Sequence, residues 1–173
     1  MATGESDALP MELHARNKEA MRALLARAIN TDQAVLIDLA ELKEHENIEP
    51  AHLEEIKSQI LKDGILKQPI VVDERTKIIL DGHFRFNALK QLGCTKIPVL
   101  LVDYSSPYIL VKTWRRGESV TKSDVIRAGL TGRKLPPKTT KHMLLSLHVS
   151  EIAGEVDIPL DRLRGGTSHR RRI

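Results

Sequence analysis

Short apolar runs and amphipathic stretches fill about 70 residues from Ala34 to Tyr104, in the order strand, helix, strand, strand, helix, strand. That order leaves a compact mixed α/β core as the natural architecture. Ala34 to Leu42 is a β-type run. Pro50 opens a helix at its first turn, Leu53, Ile56 and Ile60 form its apolar stripe, and Gly64 suits its C-terminal cap. Gln68 to Val72 and Lys77 to Leu80 read as strands around the turn Asp73-Glu74-Arg75-Thr76. A helix carrying Phe86, Leu89 and Leu92 follows Asp81-Gly82 and ends at Gly93, and Ile97 to Tyr104 is a further strand.

The character changes after Tyr104. Tyr108 to Trp114 fits either a strand or a short buried helix. Thr121 and Asp124 have capping-box spacing, which predicts a helix through Ala128 stopped at Gly129. The segment Pro136-Pro137-Lys138-Thr139-Thr140-Lys141-His142 then leads into an apolar stretch, Met143 to about Ile152, with a helical pattern. At the other end the first nine residues read as disordered, and Pro10 to about Asn30 as a helix with an uneven apolar stripe.

Composition narrows the function classes. A hydrophobic share of 41% in 173 residues supports a real core. The longest apolar stretch, around Ile97 to Val102, is far short of the roughly 20 residues a spanning helix needs. With no secretory signal in view and Cys94 as the sole cysteine, the expectation is a soluble cytoplasmic protein without disulfides or a thiolate metal cluster. The formal charge of +4 invites nucleic acid as a partner, but Arg162, Arg164, Arg170, Arg171 and Arg172 crowd the C-terminus with no acid among them. Removing those five positive charges from +4 leaves −1 for the rest. The basicity is thus a terminal tail, expected to be flexible, and nucleic acid enters only through it. Aromatic content of 3% leaves few platforms for stacking bases.

Chemistry concentrates in three places. In Leu80-Asp81-Gly82-His83-Phe84-Arg85 an apolar strand turns through glycine into a helix start. Such a turn aims backbone N–H groups and a positive helix end at one spot, where His83 and Arg85 suit a phosphate. Asp81 adds a carboxylate from which Mg²⁺ bridges to that phosphate. The same residues also fit an ordinary polar turn. In the Pro136–His142 segment, Thr139 and Thr140 precede a predicted helix start beside Lys138, Lys141 and His142. That is a second anion site or a plain proline-bounded cap. Third, Glu46 follows His45 in a charge-rich loop, where a carboxylate acts as a general base if it reaches a cleft and is otherwise solvated. Trp114, the only tryptophan, is a packing residue or a pocket wall. His14, His52, His148 and His169 are dispersed without zinc spacing, and neither a Walker loop nor a protein-kinase signature is present.

Together, Leu42-Lys43-Glu44-His45-Glu46, Asp63 to Asp73 and Ile79 to Arg85 resemble the ParB-like domain, whose fold is shared with sulfiredoxin. Within that superfamily the chain is similar to the free L-serine kinase branch over roughly residues 35 to 145, with the Pro-Pro-Lys-Thr-Thr-Lys-His segment the discriminating match. The resemblance implies an α/β ParB/sulfiredoxin-like βαββαβ core with an N-terminal helix and a small helical C-terminal extension. It implies a kinase that moves a phosphoryl group from ATP or ADP, with Mg²⁺, to the hydroxyl of free L-serine. Glu46 falls on the catalytic glutamate; Gly82, His83 and Arg85 on the nucleotide phosphates; Asp81 near the metal. Trp114, Lys138, Thr139, Thr140 and His142 fall on the serine pocket. Phe84 departs from the pattern, since many relatives carry a histidine there. The sulfiredoxin reaction is disfavoured because that turn lacks a cysteine.

The expected organisation is an N-terminal helical extension at 1–33, a nucleotide-binding core at 34–104, a substrate-binding subdomain at 105–160 and the basic tail at 161–173. The competing expectation is a ParB-like DNA-binding or nuclease module that uses the arginine tail. Its affinity would fall steeply with salt.

Overall fold

The computed structural model describes residues 34–144 and 147–165, with Arg16, Glu19, Ala20 and Ala23 as isolated helical positions. The expected N-terminal helix otherwise lies outside the described residues, as do the expected disorder of the first nine and the arginines from 170 onward.

The expected core is present. A four-stranded sheet has the order β1-β5-β3-β4, with β1 at Val35–Asp38, β3 at Ile70–Asp73, β4 at Ile79–Asp81 and β5 at Lys96–Val102. β5 runs parallel to β3, pairing Ile70 with Val99 and Asp73 with Val102; β1 and β4 are the antiparallel edges. The β-type run at Ala34 to Leu42 is strand only as far as Asp38, because Leu39–Glu41 winds into a 3₁₀ turn. Helix α1, Pro50–Asp63, ends on Gly64 at φ 69°, and helix α2, His83–Gln91, connects β4 to β5. A two-residue strand, β2 at Ile65–Leu66, pairs with β9 at Ile158–Pro159.

Every residue of β3 is buried, which a sheet covered on both faces requires. Period-two alternation divides its side chains between two cores. Ile70 and Val72 pack with Leu53, Ile60, Phe86 and Leu89 of α1 and α2. Val71, with Leu80 and Tyr104, packs against Ile109, Val125, Leu144 and Val149 from the C-terminal third.

That C-terminal third departs from the helical extension expected at Met143 to Ile152. It holds a three-stranded sheet, β6-β7-β8, with β6 at Ile109–Lys112, β7 at Lys141–Leu144 and β8 at Leu147–His148, and only then the short helix α4, Val149–Ala153. Helix α3, Lys122–Thr131, begins with the expected capping box between Thr121 and Asp124, yet it runs through Gly129 and stops at Gly132, φ 73°. A Cβ at Gly129 would sit 2.6 Å from Ile78 Cγ1, so this glycine lets the helix approach the sheet rather than end. The start of the expected flexible tail is folded as well. Helix α5, Leu160–Leu163, buries Leu163, and Arg164 Nε donates to the Leu92 carbonyl at 3.0 Å. Among the described residues no helix is long and apolar enough to cross a membrane.

Candidate active site

A cleft of about 400 Å³ opens where β4 ends and α2 begins. Its floor is the Asp81–Arg85 turn. Gly82 is the N-cap of α2 at φ 104°, and its carbonyl accepts the Phe86 N–H at 2.9 Å. A Cβ there would lie 2.8 Å from Ile70 Cβ, so both backbone angle and space demand glycine. No side chain caps α2. The N–H groups of its first turn are therefore open donors at a positive helix end.

Arg85 is more committed than the sequence suggests. Nη2 donates to Asp81 Oδ2 at 2.8 Å, and Nη1 donates to the Pro69 carbonyl at 2.9 Å and to Gln68 at 3.3 Å. A planar guanidinium with five N–H donors still keeps two after those bonds. His83 is buried against His45, ring centroids 4.6 Å apart, and its Nε2 accepts the His45 backbone N–H at 3.3 Å. Burial and the neighbouring His45, His142 and Lys134 hold it well below the ordinary histidine range. His83 thus faces the cleft as a neutral ring.

The far wall comes from a distant part of the chain. Leu135 N–H donates to the His45 carbonyl at 2.8 Å and Asn47 N–H to the Leu135 carbonyl at 2.8 Å, so the His45-Glu46 loop is stitched to the segment before β7. Arg115 pins that segment by donating from Nη2 to the Pro137 carbonyl at 2.9 Å. Thr140 then meets Glu46: its N–H donates to Oε1 at 2.7 Å and its Oγ1 lies 3.3 Å from the same oxygen. Burial pushes the Glu46 carboxyl above its ordinary value, opposed by hydrogen bonding from Thr140 and Thr139 and by Arg115.

The other expected residues divide. Lys138, at φ 60°, stands at the rim 3.4 Å from Glu49, and Trp114 is 56% exposed at the mouth with Lys141 Nζ 4.0 Å from its ring centroid. Thr139 does not line this cleft; its hydroxyl turns back to the Pro136 carbonyl at 2.6 Å. His142 also lines the cleft, although almost wholly buried, with Nε2 2.8 Å from the Tyr104 hydroxyl, and burial drives its pKa down to about 3. The helix start expected after Thr140 is absent, since Lys141–Leu144 is strand β7.

His148, dismissed in sequence as dispersed, also lines the cleft, with Nε2 3.9 Å from Asp81 Oδ1. It is the N-cap of α4, its Nδ1 accepting the Ser150 N–H at 3.2 Å. Histidine is outside the usual cap set, so pattern reading gave no signal for it. Phe84 packs edge-on against His52, ring centroids 4.5 Å apart.

Residues 20–111, more than half of the chain, match the ParB N-terminal domain family. The chain belongs to that family. An ATP-dependent L-serine kinase of Staphylothermus marinus is 36% identical over 86 residues, which cover 47% of this chain and 34% of the relative. An ADP-dependent L-serine kinase of Thermococcus kodakarensis is 32% identical over 84 residues, 46% of this chain and 35% of the relative. The matched stretches thus span about a third of the length of these curated relatives. Among solved structures, a free serine kinase in complex with AMP superposes with a TM-score of 0.68 over 79% of this chain and 95% of that one, at 18% identity. The likeness establishes a shared fold.

Proposed function

We propose that this ParB-family chain is a small-molecule kinase that transfers a phosphoryl group from ATP or ADP to the hydroxyl of free L-serine, giving O-phospho-L-serine. The observation that carries the reading is the meeting of Glu46 with the Asp81–Arg85 turn in one cleft, closed by a segment more than 90 residues away in sequence. The names of the matched relatives supply the donor and acceptor classes.

Phosphoryl transfer needs in-line positioning and charge neutralisation more than covalent chemistry. The open N–H groups after Gly82 and the spare Arg85 donors would bind the nucleotide's phosphates. Neutral His83 would add a hydrogen bond without charge. Glu46 would take the proton of the acceptor hydroxyl as its oxygen bonds to the terminal phosphorus. The bridging P–O bond of the donor breaks at the same centre, leaving ADP from ATP or AMP from ADP. Burial raises the proton affinity of Glu46, which suits a base whose task is to accept a proton. Trp114 and Lys138 at the mouth would close over the amino acid, with the residue-34–104 core serving the nucleotide and the 105–160 segment the acceptor.

Mg²⁺ fits the same turn in a limited way. Asp81 presents one carboxylate oxygen not taken by Arg85, and among the described residues no group of three His, Cys, Asp or Glu is placed to hold a metal. Asp81 would give the ion one bond, with phosphate and water completing the shell, as Mg²⁺ prefers, and the ion would neutralise phosphate charge.

The test is product analysis by mass spectrometry after incubation with L-serine, Mg²⁺ and either nucleotide. O-phospho-L-serine should form at a rate unchanged by removal of residues 165–173. A chain that makes no product yet binds DNA through that tail, with steep salt dependence, is the competing module.

A further inference from the structure

Behind Glu46 lies a buried hydrogen-bond chain whose proton order the geometry fixes. His45 is fully buried, with Nδ1 2.7 Å from the Ile79 carbonyl and Nε2 2.8 Å from Thr140 Oγ1. A carbonyl oxygen only accepts, so Nδ1 must carry the proton. Burial brings the pKa of His45 down to about 4, so near neutral pH the ring holds one proton and Nε2 is bare. Nε2 must then accept, and the only proton Thr140 Oγ1 owns points at His45. Thr140 Oγ1 is also within donating reach of Glu46 Oε1 at 3.3 Å, but its single proton goes to the shorter contact with His45 at 2.8 Å, which leaves a lone pair facing the carboxylate.

We propose that His45 is a positioning residue that acts through Thr140: by taking the hydroxyl proton, it turns a lone pair toward Glu46 and so favours the protonated carboxyl over the carboxylate. The inference deepens the kinase reading and rests on it for its purpose, though the proton order stands by itself. A threonine hydroxyl free to donate would stabilise the carboxylate and weaken the base. Held by His45, it opposes the stabilising Thr140 N–H at 2.7 Å. The base is therefore anchored by the backbone amide without being quenched by the hydroxyl. Arg115 is the cation facing Glu46 from the chain after β6, while His45 itself faces His83 of α2 and His142 of β7, both held neutral by burial.

Two measurements on the full chain decide it, and neither needs turnover. Long-range ¹H–¹⁵N correlation of the imidazoles at pH 7 should show His45 protonated at Nδ1 and bare at Nε2; a proton on Nε2 overturns the proposal. Carboxyl ¹³C titration should then show the Glu46 midpoint falling in His45→Asn, an Asn amide keeping the bond to Ile79 while leaving Thr140 free to donate to Glu46. A shift of about threefold or more in proton affinity is expected. Thr140→Ser should leave the midpoint in place, and His45→Asn should have no further effect on a Thr140→Val background. A midpoint that rises in His45→Asn, or additive effects in the double variant, contradicts the arrangement. If His45→Asn does not fold, the wild-type nitrogen spectrum decides alone. Should the kinase assay fail while these results hold, the kinase reading falls and the proton order remains.

Discussion

At Gly82 one hydrogen in place of a side chain decides whether the Asp81–Arg85 turn exists. With φ at 104° and Ile70 Cβ 2.8 Å from where a Cβ would be, Gly82→Ala combines backbone strain with overpacking. A loss of about 2–4 kcal/mol in urea unfolding is expected, along with loss of nucleotide affinity by calorimetry. Unchanged stability would mean that the turn relaxes freely. The buried histidines set a second expectation. His45 and His142, at about 4 and about 3, are held below the ordinary 6.5, so the unfolded chain binds protons that the folded one refuses. Their contribution is complete above about pH 6.5 and is lost as pH falls toward 4, at up to about 1.4 kcal/mol per unit for each ring. Thermal midpoints should drop steeply over that window, and a flat profile would show the rings to be solvated. Part of this scale is legible. Asp81 and Gly82 stand out in their local sequence and Glu46 only through the family resemblance, whereas the commitment of Arg85 to Asp81 and the tie from His45 to Thr140 depend on distances that no spacing encodes.

Local signals locate the elements, and tertiary contact decides those that differ from the sequence expectation. The capping box of α3 and the Gly64 cap of α1 are short-range hydrogen-bond patterns, readable from a few residues. Lys141–Leu144 became strand because β6, about thirty residues earlier, pairs with it, Ile109 opposite Leu144 and Lys112 opposite Lys141. An apolar run suits either element when its partner is not visible. Gly129 misled for a related reason: it is helical and sits against Ile78. Gly129→Ala should cost about 1–3 kcal/mol in urea unfolding, although alanine is the better helix former by about 1 kcal/mol. Stabilisation instead would mean that α3 does not press on the sheet.

For the whole molecule, the sheet is a partition. Its α1–α2 face carries the Asp81–Arg85 turn, its other face carries the C-terminal β-sheet, and the cleft forms at the edge where Thr140 reaches Glu46. The family match covers the turn, and the fold is shared with a free serine kinase over 79% of this chain. The account therefore stands on Glu46 as the group that joins the two halves in one reaction. The direct measurement is ³¹P NMR of the purified chain with L-serine, Mg²⁺ and ATP or ADP in separate samples, beside Glu46→Ala. A phosphomonoester resonance that grows with one nucleotide and is at least about 100-fold slower in the variant is predicted. No phosphomonoester with either nucleotide, or equal rates in the two proteins, would contradict the account.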